Sequence, residues 1–148
     1  MVVSPEGGTA ASEVGTHTYD LGLQVEIFAT PNEGYRFTGW SVDLGNTDNV
    51  DALNVSGTNV TMFENMTFMA NFSKIEYTLA VNIVGDGTVS LDPAVGPSYP
   101  LGTEVTLDPQ AGLGWTFAGW SGGLSGSDDP AKITMDSNKS ITATFTQD

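Results

Sequence analysis

Apolar residues in this chain recur at every second position far more regularly than at every third or fourth. Tyr77, Leu79, Val81 and Ile83 alternate with polar or small neighbours, as do Phe68, Ala70 and Phe72, and again Ile141, Ala143 and Phe145. Leu21, Leu23, Val25 and Ile27 form another such run, with Leu101, Val105 and Leu107 as its counterpart. Alternation places one set of side chains on a single face of a pleated strand, so each run predicts a β-strand with one buried face. Gly85-Asp86-Gly87 supplies residues tolerant of positive φ between Ile83 and Val89. It predicts a tight turn joining the Tyr77 run to the Val89 and Leu91 run as two antiparallel strands. No window shows helical spacing over three turns, and glycine and proline interrupt every candidate helix. Any helix is expected to be a single turn in the loops after Trp40 or Trp120.

The strand pattern occurs twice. Tyr19-Asp20-Leu21-Gly22-Leu23-Gln24-Val25 through Gly34-Tyr35-Arg36-Phe37-Thr38-Gly39-Trp40-Ser41 returns as Tyr99-Pro100-Leu101-Gly102-Thr103-Glu104-Val105 through Gly114-Trp115-Thr116-Phe117-Ala118-Gly119-Trp120-Ser121, at a constant offset of 80. A later block, Val60, Met62, Phe68, Ala70 and Phe72, returns as Ile133, Met135, Ile141, Ala143 and Phe145 at an offset of 73. The first copy therefore carries seven extra residues between the blocks, within a longer loop at 41–59. Self-similarity at a fixed period marks a tandem array. The expected units are 1–74 and 75–148, each near the lower limit of about 70 residues for a self-sufficient core and expected to lean on its neighbour. Val2-Val3-Ser4-Pro5 aligns with Val89 to Pro93, so unit 1 is expected to lack the opening strand and to leave an edge open to pairing.

Within each copy the aromatic segment carries a local instruction. Tyr35, Phe37 and Gly39 share one strand face, yet Trp40 falls on the opposite parity; a bulge at the glycine would return the indole to the core. Trp115, Phe117, Gly119 and Trp120 repeat the arrangement, so these aromatics are expected in the core.

Composition narrows the function classes. Eighteen acidic and four basic residues give a formal charge of −14, which repels phosphate backbones and anionic lipid. Nucleic acid and membrane insertion are excluded as expectations, the latter because no apolar run approaches the ~20 residues that span a bilayer. Met1-Val2-Val3-Ser4 lacks the basic region and apolar core of a signal peptide. Cysteine is absent, so neither disulfides nor thiolate metal sites are available.

Candidate chemistry is sparse. His17 is the sole histidine, has no counterpart in the second copy and reads as a solvated loop residue. Neither a cysteine nor a nucleophile-elbow motif accompanies it, so no catalytic residues and no enzymatic activity are expected. Asp43, Asn46, Asp48, Asn49 and Asp51 are hard oxygen donors in one loop, and Asp43, Asp48 and Asp51 are the calcium candidates; no other cofactor is expected. Trp40, Trp115, Trp120, Tyr19 and Tyr99 offer faces for stacking on sugar rings if exposed.

At Pro31-Asn32-Glu33-Gly34-Tyr35-Arg36-Phe37-Thr38-Gly39-Trp40, followed by Asn65-Met66-Thr67-Phe68-Met69-Ala70-Asn71-Phe72, the chain resembles the bacterial internalin-type B repeats, also called Listeria-Bacteroides repeats. The second copy is similar to the divergent form, through Gly85-Asp86-Gly87-Thr88-Val89, Gly114-Trp115-Thr116-Phe117-Ala118-Gly119-Trp120-Ser121-Gly122 and Asn138-Lys139-Ser140-Ile141-Thr142-Ala143-Thr144-Phe145. The resemblance implies a small β-rich, β-grasp-like fold strung along secreted and cell-surface proteins, without catalysis. Neither copy shows a central helix before the Gly-Trp segment, so the residues themselves suit an all-β repeat. The resulting expectation is a mainly β pair of small antiparallel units with little or no helix, serving as an extracellular, cell-surface spacer and adhesion module. Its expected partners are other repeats or domains of the same polypeptide, a surface protein or glycan, and a second chain through the open edge of unit 1. The alternative is a carbohydrate-binding module using exposed aromatics, with or without calcium.

Overall fold

The computed structural model describes residues 2–3, 6–11 and 15–148, with the backbone alone at Val2, Val3 and Ala11. The chain divides into two compact units, Met1–Ile75 and Glu76–Asp148. Unit 1 contains β1 (Val2–Val3), β2 (Gly8–Ala11), β3 (Gln24–Pro31), β4 (Tyr35–Leu44), β5 (Gly57–Thr61) and β6 (Thr67–Lys74). Unit 2 contains β7 (Glu76–Val84), β8 (Gly87–Asp92), β9 (Ser98–Pro100), β10 (Glu104–Ala111), β11 (Trp115–Gly122), β12 (Ala131–Thr134) and β13 (Lys139–Gln147). Among the described residues one 3-10 turn, Thr47–Asn49, follows β4, in the loop after Trp40, one of the two loops where a single turn is expected. Of the two expected architectures, the all-β repeat is the one observed.

Each unit is a two-layer β structure around its own core. Unit 1 has sheets in the order β1-β6-β4 and β2-β3-β5, and unit 2 has β11-β13-β7-β9 and β12-β10-β8. Ile27 and Val60 from one sheet and Trp40, Phe68 and Ala70 from the other make up the unit 1 core. In unit 2, Val105, Leu107 and Ile133 face Leu79, Trp120, Ile141 and Phe145. Burying one such aliphatic or aromatic side chain is worth about 1.5–3 kcal/mol.

Three expectations are corrected. The turn at Gly85-Asp86 does not close a hairpin: β7 pairs in parallel with β13, whereas β8 pairs antiparallel with β10 in the other sheet. The alternation and the turn residues are as expected, but the turn carries the chain from one layer to the other. The lack of an opening strand in unit 1 is also corrected. Val2 and Val3 lie parallel to Phe68 and Met69, just as Val81 and Asn82 lie parallel to Ile141 and Thr142. Gly8-Thr9 on β2 then takes the place of Gly87-Thr88 on β8. The alignment to Val89 matched apolar pattern alone, where the glycine pair fixes the register. Last, Leu21 and Leu23 lie in a turn and are exposed, because the strand begins only at Gln24.

Candidate functional site

The Gly-Trp segments are built alike in both units. The ladder between β4 and β6 shifts register between Phe37 and Gly39, and that between β11 and β13 shifts between Phe117 and Gly119. The bulge brings Trp40 and Trp120 into the core, each with only 5% of its surface exposed. The tryptophans stay paired with Ala70 and Ala143 in the ladder, while their backbone N–H groups bond to the following loop. The Trp40 N–H donates to the Leu53 carbonyl at 2.8 Å, and the Trp120 N–H to the Gly126 carbonyl at 2.7 Å. Each indole then donates two residues further on, Trp40 Nε1 to the Val55 carbonyl at 3.0 Å and Trp120 Nε1 to the Asp128 carbonyl at 2.8 Å. One tryptophan thus fastens the following loop at two points while filling the core.

The preceding glycine is required by the close approach of that loop. Gly39 and Gly119 have φ of 147° and 142°, where side chains are disfavoured. A Cβ would lie 3.2 Å from the Leu53 carbonyl oxygen and 2.8 Å from that of Gly126, respectively. Phe37 and Phe117 pack on the indoles at ring-centroid distances of 5.6 Å and 4.9 Å, in tilted geometry. The seven extra residues of unit 1 fall between its tryptophan and the carbonyls it fastens, so the insertion leaves the anchor intact.

The sugar-stacking candidates are placed accordingly. Trp40, Trp120 and Tyr99 are buried and Trp115 is half-buried; Tyr19 is the exposed one of the five. The calcium candidates are not gathered. Asp43 is on β4, Asp48 in the 3-10 turn and Asp51 beyond it, all exposed. Among the described residues no three His, Cys, Asp or Glu groups form a set that could hold a metal. The loop's polar groups bond to one another instead: Asn46 Oδ1 accepts from the Asp48 N–H at 3.0 Å, Glu64 Oε1 from the Asn46 N–H at 2.7 Å, and Asp51 Oδ2 from Asn59 Nδ2 at 3.2 Å.

Sequence reasoning missed a cavity of about 350 Å³ in unit 1, walled by Val25, Ile27, Val60, Met62 and Phe68 and bordered by Asn65. His17, expected in solvent, is half-buried in its rim, with its ring centroid 6.3 Å from that of Tyr19. None of the described residues lining the cavity is a carboxylate; Glu64 borders the shallower depression outside it, together with His17.

Comparison with known families places these features. The family described as the divergent InlB B-repeat domain matches residues 1–76 and again residues 77–148. No curated protein and no solved structure matches the chain.

Proposed function

Because the chain belongs to the divergent InlB B-repeat domain family, in two tandem copies, we propose that this repeat module of a bacterial protein is a non-catalytic spacer and adhesion module on the cell surface. Repeats of this type occur in bacterial surface proteins, and among the described residues no helix is long and apolar enough to cross a membrane. The observation that carries the reading is what is duplicated. Both copies keep the Gly-Trp bulge, the doubly fastened loop and the aromatic core, whereas His17 and the long acidic loop occur in one copy only. Selection for geometry leaves repeated packing devices; selection for a reactive constellation would repeat its polar groups. The formal charge of −14 favours solubility and disfavours adventitious association with anionic surfaces.

A replacement experiment tests the reading. Removing the two units from the surface polypeptide that carries them should weaken attachment, and an unrelated pair of β domains of equal length should restore it. Failure of the substitute to restore attachment would assign the effect to a specific ligand. A glycan array with and without chelator separates the carbohydrate-binding alternative, which of the five stacking candidates leaves Tyr19 and Trp115, because Trp40, Trp120 and Tyr99 are buried.

A further inference from the structure

We propose that the outer face of the β2-β3-β5 sheet carries a saccharide platform at Phe28, whose ring stacks on a neutral sugar while Glu26 and Asn59 bond to its hydroxyls. The inference deepens the adhesion reading by naming a ligand class and a site, and it rests on that reading for its setting. Two local choices at one cross-strand position carry it. Phe28 and Gly57 are partners in the ladder between β3 and β5; Phe28 is 44% exposed, and Gly57 is exposed as well. Phe28 has the parity opposite to Ile27 and Ala29, which are buried, so its ring adds nothing to the core. Glycine weakens a strand, and it marks places where a ligand or another backbone comes close. Sequences depart from the rules of folding in this way where function requires it.

The glycine positions the ring. A Cβ at residue 57 would lie 3.3 Å from Cδ1 and 3.5 Å from Cε1 of Phe28, so one edge of the ring rests over bare backbone. Polar groups surround it. Gln24, Glu26 and Thr30 share its face of β3 and are exposed, and Asn59 stands opposite Glu26. Glu26 follows the ring at about 7 Å along the strand. The Asn59 side chain is held in place by donating from Nδ2 to Asp51 Oδ2 at 3.2 Å. An aromatic face with a few fixed polar groups beside it is the usual means of holding a sugar. In unit 2 the offsets of 80 and 73 put Asp108 and Pro130 at the places of Phe28 and Gly57. There Asp108 Oδ1 accepts from Gln110 Nε2 at 2.9 Å and Lys132 pairs with Glu104 at 2.7 Å, so the same place is charged instead of aromatic.

Size and charge select the occupant. A stable protein partner buries about 800 Å² per side around an apolar centre, and one ring set among Gln24, Glu26, Thr30 and Asn59 provides no such centre. The formal charge of −14 disfavours an anionic ligand. A neutral pyranose with equatorial hydroxyls fits both limits: its C–H faces cover one aromatic ring, and its hydroxyls donate to a carboxylate.

The experiment titrates the isotopically labelled full chain with a soluble β-1,4-linked glucose hexamer and follows the amide resonances. The expected result is saturable binding with shifts at Glu26, Phe28, Gly57 and Asn59 and none on β10 or β12. Phe28→Tyr should keep the affinity, whereas Phe28→Leu, which retains apolar bulk without a ring, should weaken it about tenfold. Glu26→Gln should weaken it about fivefold through loss of a charged acceptor. No saturable binding at millimolar hexamer, equal binding by the Phe28→Leu chain, or shifts centred on Tyr19 or Trp115 would overturn the proposal. The two readings fail separately. Attachment restored by the unrelated β pair would remove the adhesion role and leave a saturable Phe28 site standing, whereas absence of hexamer binding would remove the site and leave the spacer role untouched.

Discussion

Units 1 and 2 place the same residue types on the same strands, yet Tyr99 is sealed in its core and Tyr19 is not. Among the described residues, β7 contributes nine residues to its sheet and β1 contributes two. The Gly-Trp anchor is indifferent to this, since Trp40 and Trp120 are equally buried and make the same pair of carbonyl contacts. The fold is thus held by two separable devices. The anchor ties one loop to the core, and the opening strand pairs in parallel with the last strand of its unit.

The largest effects should come from the anchor, and should be alike in the two units. Trp120→Ala and Trp40→Ala each remove an indole and both of its roles, and thermal or denaturant unfolding should show a loss of about 3–5 kcal/mol for the affected unit. A much smaller loss in unit 1 would mean that its loop is held by something other than the tryptophan. Leu79→Ala should come next, costing about 2–5 kcal/mol in unit 2 while leaving the unit 1 transition in place. Movement of both transitions together would show that Leu79 supports more than its own core.

The glycines sharpen the comparison. Gly119→Ala meets the Gly126 carbonyl oxygen at 2.8 Å, and Gly39→Ala meets that of Leu53 at 3.2 Å, both at positive φ. Each should destabilise by about 1–3 kcal/mol, with Gly119→Ala the worse. Tyr99→Phe should cost about 1 kcal/mol by deleting a buried hydrogen bond, while Tyr19→Phe should be close to neutral; both are read from the unfolding midpoint.

The smallest effect is electrostatic. Lys139, hydrogen-bonded at 2.6 Å and attracting through its charge, holds the Asp136 carboxyl below its usual range. A depressed carboxylate stabilises the fold above its unfolded pKa and loses that contribution as pH falls through the folded value. Asp136→Asn should therefore lower stability slightly at neutral pH and flatten its fall below about pH 4, so that the two proteins converge in acid. The group is fully exposed, so a large effect would point to contacts other than this ion pair.

Much of the fold was legible because its cause is local. The period-two runs at Val25–Ile27, Leu79–Val81 and Ile141–Phe145 fix which face of each strand is buried, and the wrong parity of Trp40 and Trp120 requires a bulge at the preceding glycine. What was not legible depends on partners distant in the chain. Gly85-Asp86 has the same turn chemistry whether it closes a hairpin or passes between layers, and only the parallel pairing of Leu79–Val84 with Lys139–Thr144 decides. Val2-Val3 matches either Val81 or Val89 by pattern, and the Gly8-Thr9 match to Gly87-Thr88 resolves it. Asp43, Asp48 and Asp51 share a loop in sequence without converging, because proximity along a chain does not aim side chains at one point.

Hydrogen exchange at the tryptophan indoles, followed by NMR on the full chain, tests the shared anchor most directly. The account predicts that the Nε1 protons of Trp40 and Trp120 both exchange about 100-fold or more slowly than that of free tryptophan, each held by a loop carbonyl inside its core. Exchange of either at the free rate would place that ring in solvent and contradict the claim that both copies are built around the same buried residue.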